Sequence, residues 1–174
     1  MLYSHFVSRP KIQTGLCVAL IAFGIGGIAS AQTLESTFSF QVVELGSDGA
    51  EQLVSRQSVA PGETIQYALS HKNTTQDDLR GLVISAPVPV GVTLQQDAFF
   101  SSIDARFEVQ AELNPQAEGL EWSTLPALRW VVGDDGSLRE EPVPQDEITA
   151  VRWTLSDPLE ADATVLNGYR VLVD

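Results

Sequence analysis

Acid–base, nucleophilic and transition-metal chemistry is built mainly from histidine, cysteine and clustered carboxylates, and this chain holds only two histidines, His5 and His71, and one cysteine, Cys17. A serine nucleophile needs a base beside it. His71 follows the strand pattern of Ile65 to Ser70 and precedes "KNTT", which predicts an exposed histidine at a strand end rather than a catalytic one. Zinc and copper sites want several Cys or His ligands, more than the chain supplies. Calcium asks only for oxygens, so Asp134 and Asp135 ahead of Gly136, or Asp77 and Asp78, are its candidate ligands. Neither "GDDGS" nor "TQDDL" has the alternate spacing of a calcium loop, and tight turns are the expected reading. Glu140 and Glu141 beside Pro142 read as a solvated loop, and no acid pair stands out as glycosidase machinery. Asn73-Thr74-Thr75 has the form of a glycosylation acceptor. Trp122, in the proline- and glycine-bearing stretch "GLEWSTLP", is the candidate platform for stacking a sugar; its alternative is to cap the core.

The elements that must position these groups begin after a leader. His5, Arg9 and Lys11 give a polar, basic start, "GLCVALIAFGIGGI" an apolar run, and Ala29 and Ala31 the small residues a signal peptidase requires. This predicts a cleavable signal peptide over residues 1–31, cut between Ala31 and Gln32. The run is short of the roughly 20 residues that span a bilayer, so no membrane span is expected after cleavage. Cys17 opens the apolar run, whereas a lipid-bearing cysteine closes one, and no twin arginine is present. The expected route is general secretion, to the periplasm or beyond the cell.

The 143 residues from Gln32 carry 8 basic and 23 acidic side chains, a net charge near −15, and no cysteine. Such a surface repels a phosphate backbone, which excludes nucleic acid and leaves a divalent cation or a basic protein surface as allowed partners. Without disulfides, stability has to come from packing. The length suits one domain, residues 32–174.

Periodicity of two recurs along that domain. Phe38, Phe40 and Val42 alternate with polar residues, as do Ile65, Tyr67 and Leu69. Pro61 and Gly62 predict a turn before the second of these strands. "EQLVSRQ" is a weaker strand, "GLVISA" is ended by "PVPVG", and further strands are expected around Phe107, around Trp130, over Ile148–Ser156 and over Gly168–Asp174. Pro87 and Pro89 restrict the strand before them to a sheet edge. Val151, Trp153 and Leu155 should face the core, with Tyr169, Val171 and Val173 from the last strand. "GDDGSLREEPVPQDE" reads as a polar loop or hairpin tip. No window carries a helical stripe. About eight short strands without intervening helices predict an all-β, antiparallel β-sandwich, with the immunoglobulin-like arrangement as default.

"PGETIQY", Asn73-Thr74, "GLVISA" and "PVPVGVT" together resemble the conserved-repeat domain of bacterial and archaeal surface proteins, known as domain of unknown function eleven. The matching positions include Pro61, Gly62, Glu63, Asn73, Pro89 and Gly91, and "ITAVRWTLSDPLEADATVLNGYRVLV" is similar to the family's closing strands, so the resemblance covers most of residues 58–173. The chain departs from the pattern at "SAPVP", without the acid common before the second turn, at "LEADAT", without a glycine, and in having a single copy. The resemblance implies an immunoglobulin-like fold and an envelope or extracellular location, and it transfers no chemistry. Two functions are therefore expected: first, a non-enzymatic structural or protein-interaction module of the bacterial envelope, meeting an envelope or extracellular protein through a sheet edge or loops. The alternative is a carbohydrate-binding or sugar-active accessory protein using Trp122.

Overall fold

The computed structural model describes residues 33–174. The leader expected over residues 1–31, with Cys17 and the cut after Ala31, lies outside the described residues. The described chain is built from β1 (Leu34–Leu45), β2 (Glu51–Val54), β3 (Thr64–Asn73), β4 (Val83–Pro87), β5 (Val92–Ser101), β6 (Ala105–Ala111), β7 (Glu121–Ser123), β8 (Leu128–Val132), β9 (Leu138–Pro142), β10 (Ala150–Leu155) and β11 (Thr164–Val173), with one 3-10 turn at Gln145–Glu147. None of these elements is a helix long and apolar enough to cross a membrane.

The strands form two antiparallel sheets in a sandwich-like arrangement, of order β2-β1-β3-β11-β5 and β4-β10-β6-β7, while β8 and β9 pair only with each other. Three consecutive pairs of strands, β3 and β4, β5 and β6, and β10 and β11, each cross from one sheet to the other. Immunoglobulin order seats the last strand beside its predecessor. Here β11 instead lies between β3 and β5, in the sheet that β10 does not join. The inner faces follow the expected alternation: Val151, Trp153 and Leu155 from β10 are buried, as are Tyr169 and Val171 from β11, with Val173 partly so. The Tyr169 hydroxyl donates to the Pro87 carbonyl at 2.6 Å and so links the two sheets. An unbroken series of ring contacts crosses the sandwich: Phe99 stacks on Phe107 at 3.9 Å, Phe107 meets Trp153, Trp153 meets Tyr169, Tyr169 stacks on Tyr67, and Tyr67 stacks on Phe38 at 5.3 Å.

The turns obey their residues. Gly62 and Gly91 have φ of +83° and +84°, where a side chain would be strained, and each closes a turn against the C-terminal strand: Gly62 N donates to Val173 O and Asp174 N to Gly91 O. The carboxylate of Glu63 accepts from Ala60 N and from Arg56, both at 2.7 Å, which fixes the "PGE" turn.

Three expectations need correction. Phe38 and Phe40 share the inner face with Val42, yet only Val42 is enclosed; the phenyl rings are 54% and 41% exposed. Strand β5 was not foreseen. Four of its residues, Gln95 to Ala98, stand opposite Arg170 alone, between the pairs Leu94↔Val171 and Tyr169↔Phe99, and this bulge erases the alternation that would announce a strand. The polar stretch from Gly133 opens as the hairpin tip expected of it, but it also holds a strand, β9, paired with β8 from Leu128↔Pro142 to Val132↔Leu138.

Candidate functional site

The candidate chemical residues are scattered. His71 is not at an exposed strand end: it lies inside β3, opposite Ser36 and Val165, half-buried, with its Nδ1 buried and unbonded. Burial pushes its imidazole below the ordinary value of 6.5. Asn73 is fully buried, and its Nδ2, the atom a glycan would need, donates to the carbonyls of Asp77, Leu159 and Glu160 at 2.8, 3.2 and 3.0 Å. The acceptor form of "NTT" is thus a structural hub tying the loop after β3 to the loop after β10.

Asp134 and Asp135 lie in the turn between β8 and β9, where Gly133 N donates to Ser137 O at 2.8 Å. One carboxylate oxygen of Asp135 accepts from Ser137 N at 3.0 Å and from its hydroxyl at 2.6 Å, which lowers the pKa of that carboxyl. Asp78 accepts from Ala161 N across the loops, at 3.2 Å. Among the described residues no three of His, Cys, Asp and Glu are grouped closely enough to hold a metal ion.

Trp122 sits in the short edge strand β7, half-buried, with the guanidinium of Arg152 4.3 Å from its ring centroid. Arg152 is in turn held by Glu108 at 2.9 Å, a carboxylate that is itself buried and also reached by Arg106. The bond from Arg152, ahead of the opposing cost of burial, lowers the pKa of Glu108. A sugar stacking on that face of Trp122 would have to displace a guanidinium fixed by a buried carboxylate.

The sequence reading missed what the β8–β9 hairpin presents. Its base is anchored: Val143 N donates to Ala127 O at 3.0 Å, both residues are in the core, and Trp130 N donates to Leu113 O at 2.8 Å. Arg129, on the inward side, bonds Glu141 at 2.9 Å and also pairs with Glu147. With Arg129 and Glu141 on one side of the hairpin, the other side carries Leu128, Trp130 and Val132 from β8 and Leu138 and Pro142 from β9, interrupted only by Glu140 opposite Trp130. Leu128, Trp130, Val132 and Leu138 are 44%, 45%, 58% and 49% exposed. An amphipathic strand ordinarily turns its apolar side to the core. The alternation in "LRWVV" was readable as a strand, but which face the protein covers was not.

A second feature is an open, polar groove of about 710 Å³ between the β5 bulge and the loops that close the sandwich, lined by Gln95, Gln96, Asp97, Leu125, Pro126 and Gln145. Compared with models of known protein families, with curated proteins and with solved structures, the chain matches none.

Proposed function

We propose that the protein is an exported, non-enzymatic interaction module of the bacterial envelope. The observation that carries this reading is the hairpin: a two-stranded ribbon, belonging to neither sheet, with four large apolar side chains facing solvent on one side. Exposed apolar surface gathered in one place marks a binding surface. Covering four half-exposed side chains is worth roughly 4 kcal/mol before the costs of association, which it does not offset by itself, so a partner must add polar pairing or further apolar contact. The secretory leader expected from the sequence of residues 1–31 and the resemblance to the conserved-repeat domain of surface proteins support the location. Fold alone specifies no activity, and we read the finer topology as jelly-roll-like, with the hydrogen-bonded pairs β3–β11, β4–β10 and β6–β7 wrapped into two sheets, in place of the immunoglobulin-like order that the resemblance implies.

A photo-crosslinking residue in place of Val132 tests the reading in the producing cell. Protein adducts at that position, lost when Trp130 and Leu138 are changed to serine, are the expected result; a residue that crosslinks to no protein refutes it. The alternative, a carbohydrate-binding accessory, draws on the carboxamides of the groove beside Asp97, since paired donors and acceptors of this kind suit sugar hydroxyls. Oligosaccharide binding that is lost with Gln96→Ala and Gln145→Ala, and kept with Trp130→Ser, would favour it.

A further inference from the structure

We infer that the free edge of β4 accepts one further strand, a short extended segment of another protein, apolar at alternate residues and basic at those between, which lengthens the smaller sheet and covers Phe38 and Phe40. This surface is separate from the β8–β9 hairpin, so the inference goes beyond the reading above and stands or fails by itself.

The place for the strand follows from a mismatch in strand number. One sheet has five strands and the other four. Trp153 of β10 meets Tyr169 of β11, and Phe107 of β6 stacks on Phe99 of β5, so β10 lies across from β11 and β6 across from β5. That sets β4 across from β3 and leaves nothing across from β1. Phe38 and Phe40 lie on the inner face of β1, and their exposure follows from this gap. The gap and the edge are level with each other. The Tyr169 hydroxyl reaches Pro87 O in β4, Tyr169 stacks on Tyr67, and the Tyr67 ring centroid is 5.3 Å from that of Phe38 and 6.3 Å from that of Phe40.

The edge itself asks for a polypeptide. Leu155 N donates to Leu82 O at 3.0 Å and Val88 N to Thr149 O at 2.8 Å, which assigns the even-numbered residues of β4 to β10. The N–H and C=O of Val83 and Ser85 therefore point away from β10, and among the described residues nothing bonds them. Pro87 ends the row, since it has no N–H and its C=O is taken by Tyr169. Two donors and two acceptors in strand register are matched by another extended backbone. A lipid chain carries no such groups, and a sugar or a nucleic acid does not present them at strand spacing. Alternate side chains of a strand share a face, so the incoming segment turns every second residue onto Phe38 and Phe40, which selects apolar residues there.

Charge selects the residues between, and a foreign protein over a second copy. Six of the eight basic residues described already hold ion pairs with six of the 23 acids, and the other acids have none. The two bases left, Lys72 and Arg80, stand at the β4 end beside Glu35, Asp77 and Asp78, so this end is itself slightly negative on a strongly negative molecule. Lysine or arginine at the solvent-facing positions of the incoming strand is drawn to such a surface, whereas a second copy, with the same excess of acid, is repelled.

NMR-detected amide exchange of the purified exported protein is the test. In the free protein the amides of Val83 and Ser85 should exchange quickly, while those of Ile84 and Ala86, bonded to β10, are protected. The probe is a blocked peptide of about seven residues, alternating valine and lysine, long enough to span the edge. It should protect Val83 and Ser85 and shift the ring resonances of Phe38 and Phe40. Ser85→Pro removes one outward N–H and should weaken binding by about tenfold or more. Phe38→Ser removes the apolar floor and serves the same purpose if the proline disturbs folding. Trp130→Ser, on the hairpin, should leave binding unchanged, and the valine–glutamate counterpart of the peptide should not bind. Absence of protection at Val83 and Ser85, equal binding of the two peptides, or binding that survives both Ser85→Pro and Phe38→Ser overturns the inference. So does protection that appears without peptide as protein concentration rises, which would make a second copy the occupant. Binding lost with Trp130→Ser and kept with Ser85→Pro and Phe38→Ser would seat the peptide on the hairpin, overturning this inference while leaving the interaction module intact.

Discussion

Replacing Asn73 by alanine tests whether one buried carboxamide holds together the two loops that cross between the sheets at one end. Its Nδ2 carries two hydrogens shared among the carbonyls of Asp77, Leu159 and Glu160, and its Oδ1 accepts from Thr75 N at 2.9 Å and from the Thr75 hydroxyl at 2.7 Å. The acceptors are not orphaned by the change. Leu159 O also takes Leu79 N, Glu160 O takes Ala163 N, and Asp77 O takes the Thr75 hydroxyl. What is lost is the net value of about three hydrogen bonds, near 1 kcal/mol each, so Asn73→Ala should cost about 3 kcal/mol. For a domain of this size that lowers Tm by roughly 12 °C. Asn73→Asp keeps the shape and the Thr75 contacts but sets a carboxylate against three carbonyl oxygens, and it should be the more damaging change at neutral pH. Those carbonyls and burial raise the pKa of the introduced carboxyl above its unfolded value. Its protonated form therefore supports the fold in acid, and that support is lost as pH rises through the folded pKa. Urea denaturation of the three proteins at several pH values reads both effects. A cost below about 1 kcal/mol for Asn73→Ala, or an Asn73→Asp protein more stable than Asn73→Ala at neutral pH, would refute the hub.

Trp153→Ala should cost on the order of 3–5 kcal/mol, because the ring is only 1% exposed and the cavity has aromatic neighbours that cannot collapse into it; a neutral effect in denaturant melts would contradict its place in the core. Acidification should destabilise the protein in two stages. His71 has a folded pKa depressed by burial, so its contribution is lost as pH falls below 6.5, and Glu108, depressed by its bond to Arg152, adds a loss below about 4.5. His71→Gln should flatten the first stage and Glu108→Gln the second, as read from stability against pH. Millimolar calcium should leave Tm unchanged, since Asp135 is already committed to Ser137; a saturable rise abolished by changing Asp134 and Asp135 would show a bound ion. Mass spectrometry of the exported protein should give a chain beginning at Gln32, without lipid on Cys17.

Much of the fold was legible because period-two alternation is a local signal: Val151, Trp153 and Leu155 announce both their strand and its buried face. The turn glycines were legible for the same reason, since a positive φ at Gly62 or Gly91 narrows the choice of residue at once. Strand β5 was hidden because its bulge breaks the alternation at Gln95 to Ala98. The exposure of Phe38 and Phe40 was hidden for a different reason. Their alternation is correct and their face is the inner one, but whether an inner face is covered depends on the number of strands in the other sheet, a global property. The hairpin's apolar side was missed likewise, because alternation says that a strand has two faces and not which of them meets the protein.

The series of rings from Phe99 through Trp153 to Phe38 also makes the protein optically informative. Tyr67 and Tyr169 lie close enough to Trp153, directly or through one ring, for excitation absorbed by tyrosine to pass to the indole, and aromatic rings held at fixed angles give a near-ultraviolet circular dichroism signal that vanishes when packing loosens. Trp130 is outside that series, on a hairpin half open to water. With the half-buried Trp122 replaced by phenylalanine, the emission of Trp153 and that of Trp130 report on different events, the melting of the sandwich and the covering of the hairpin, and a soluble quencher that reaches the second indole but not the first separates the two in a single cuvette.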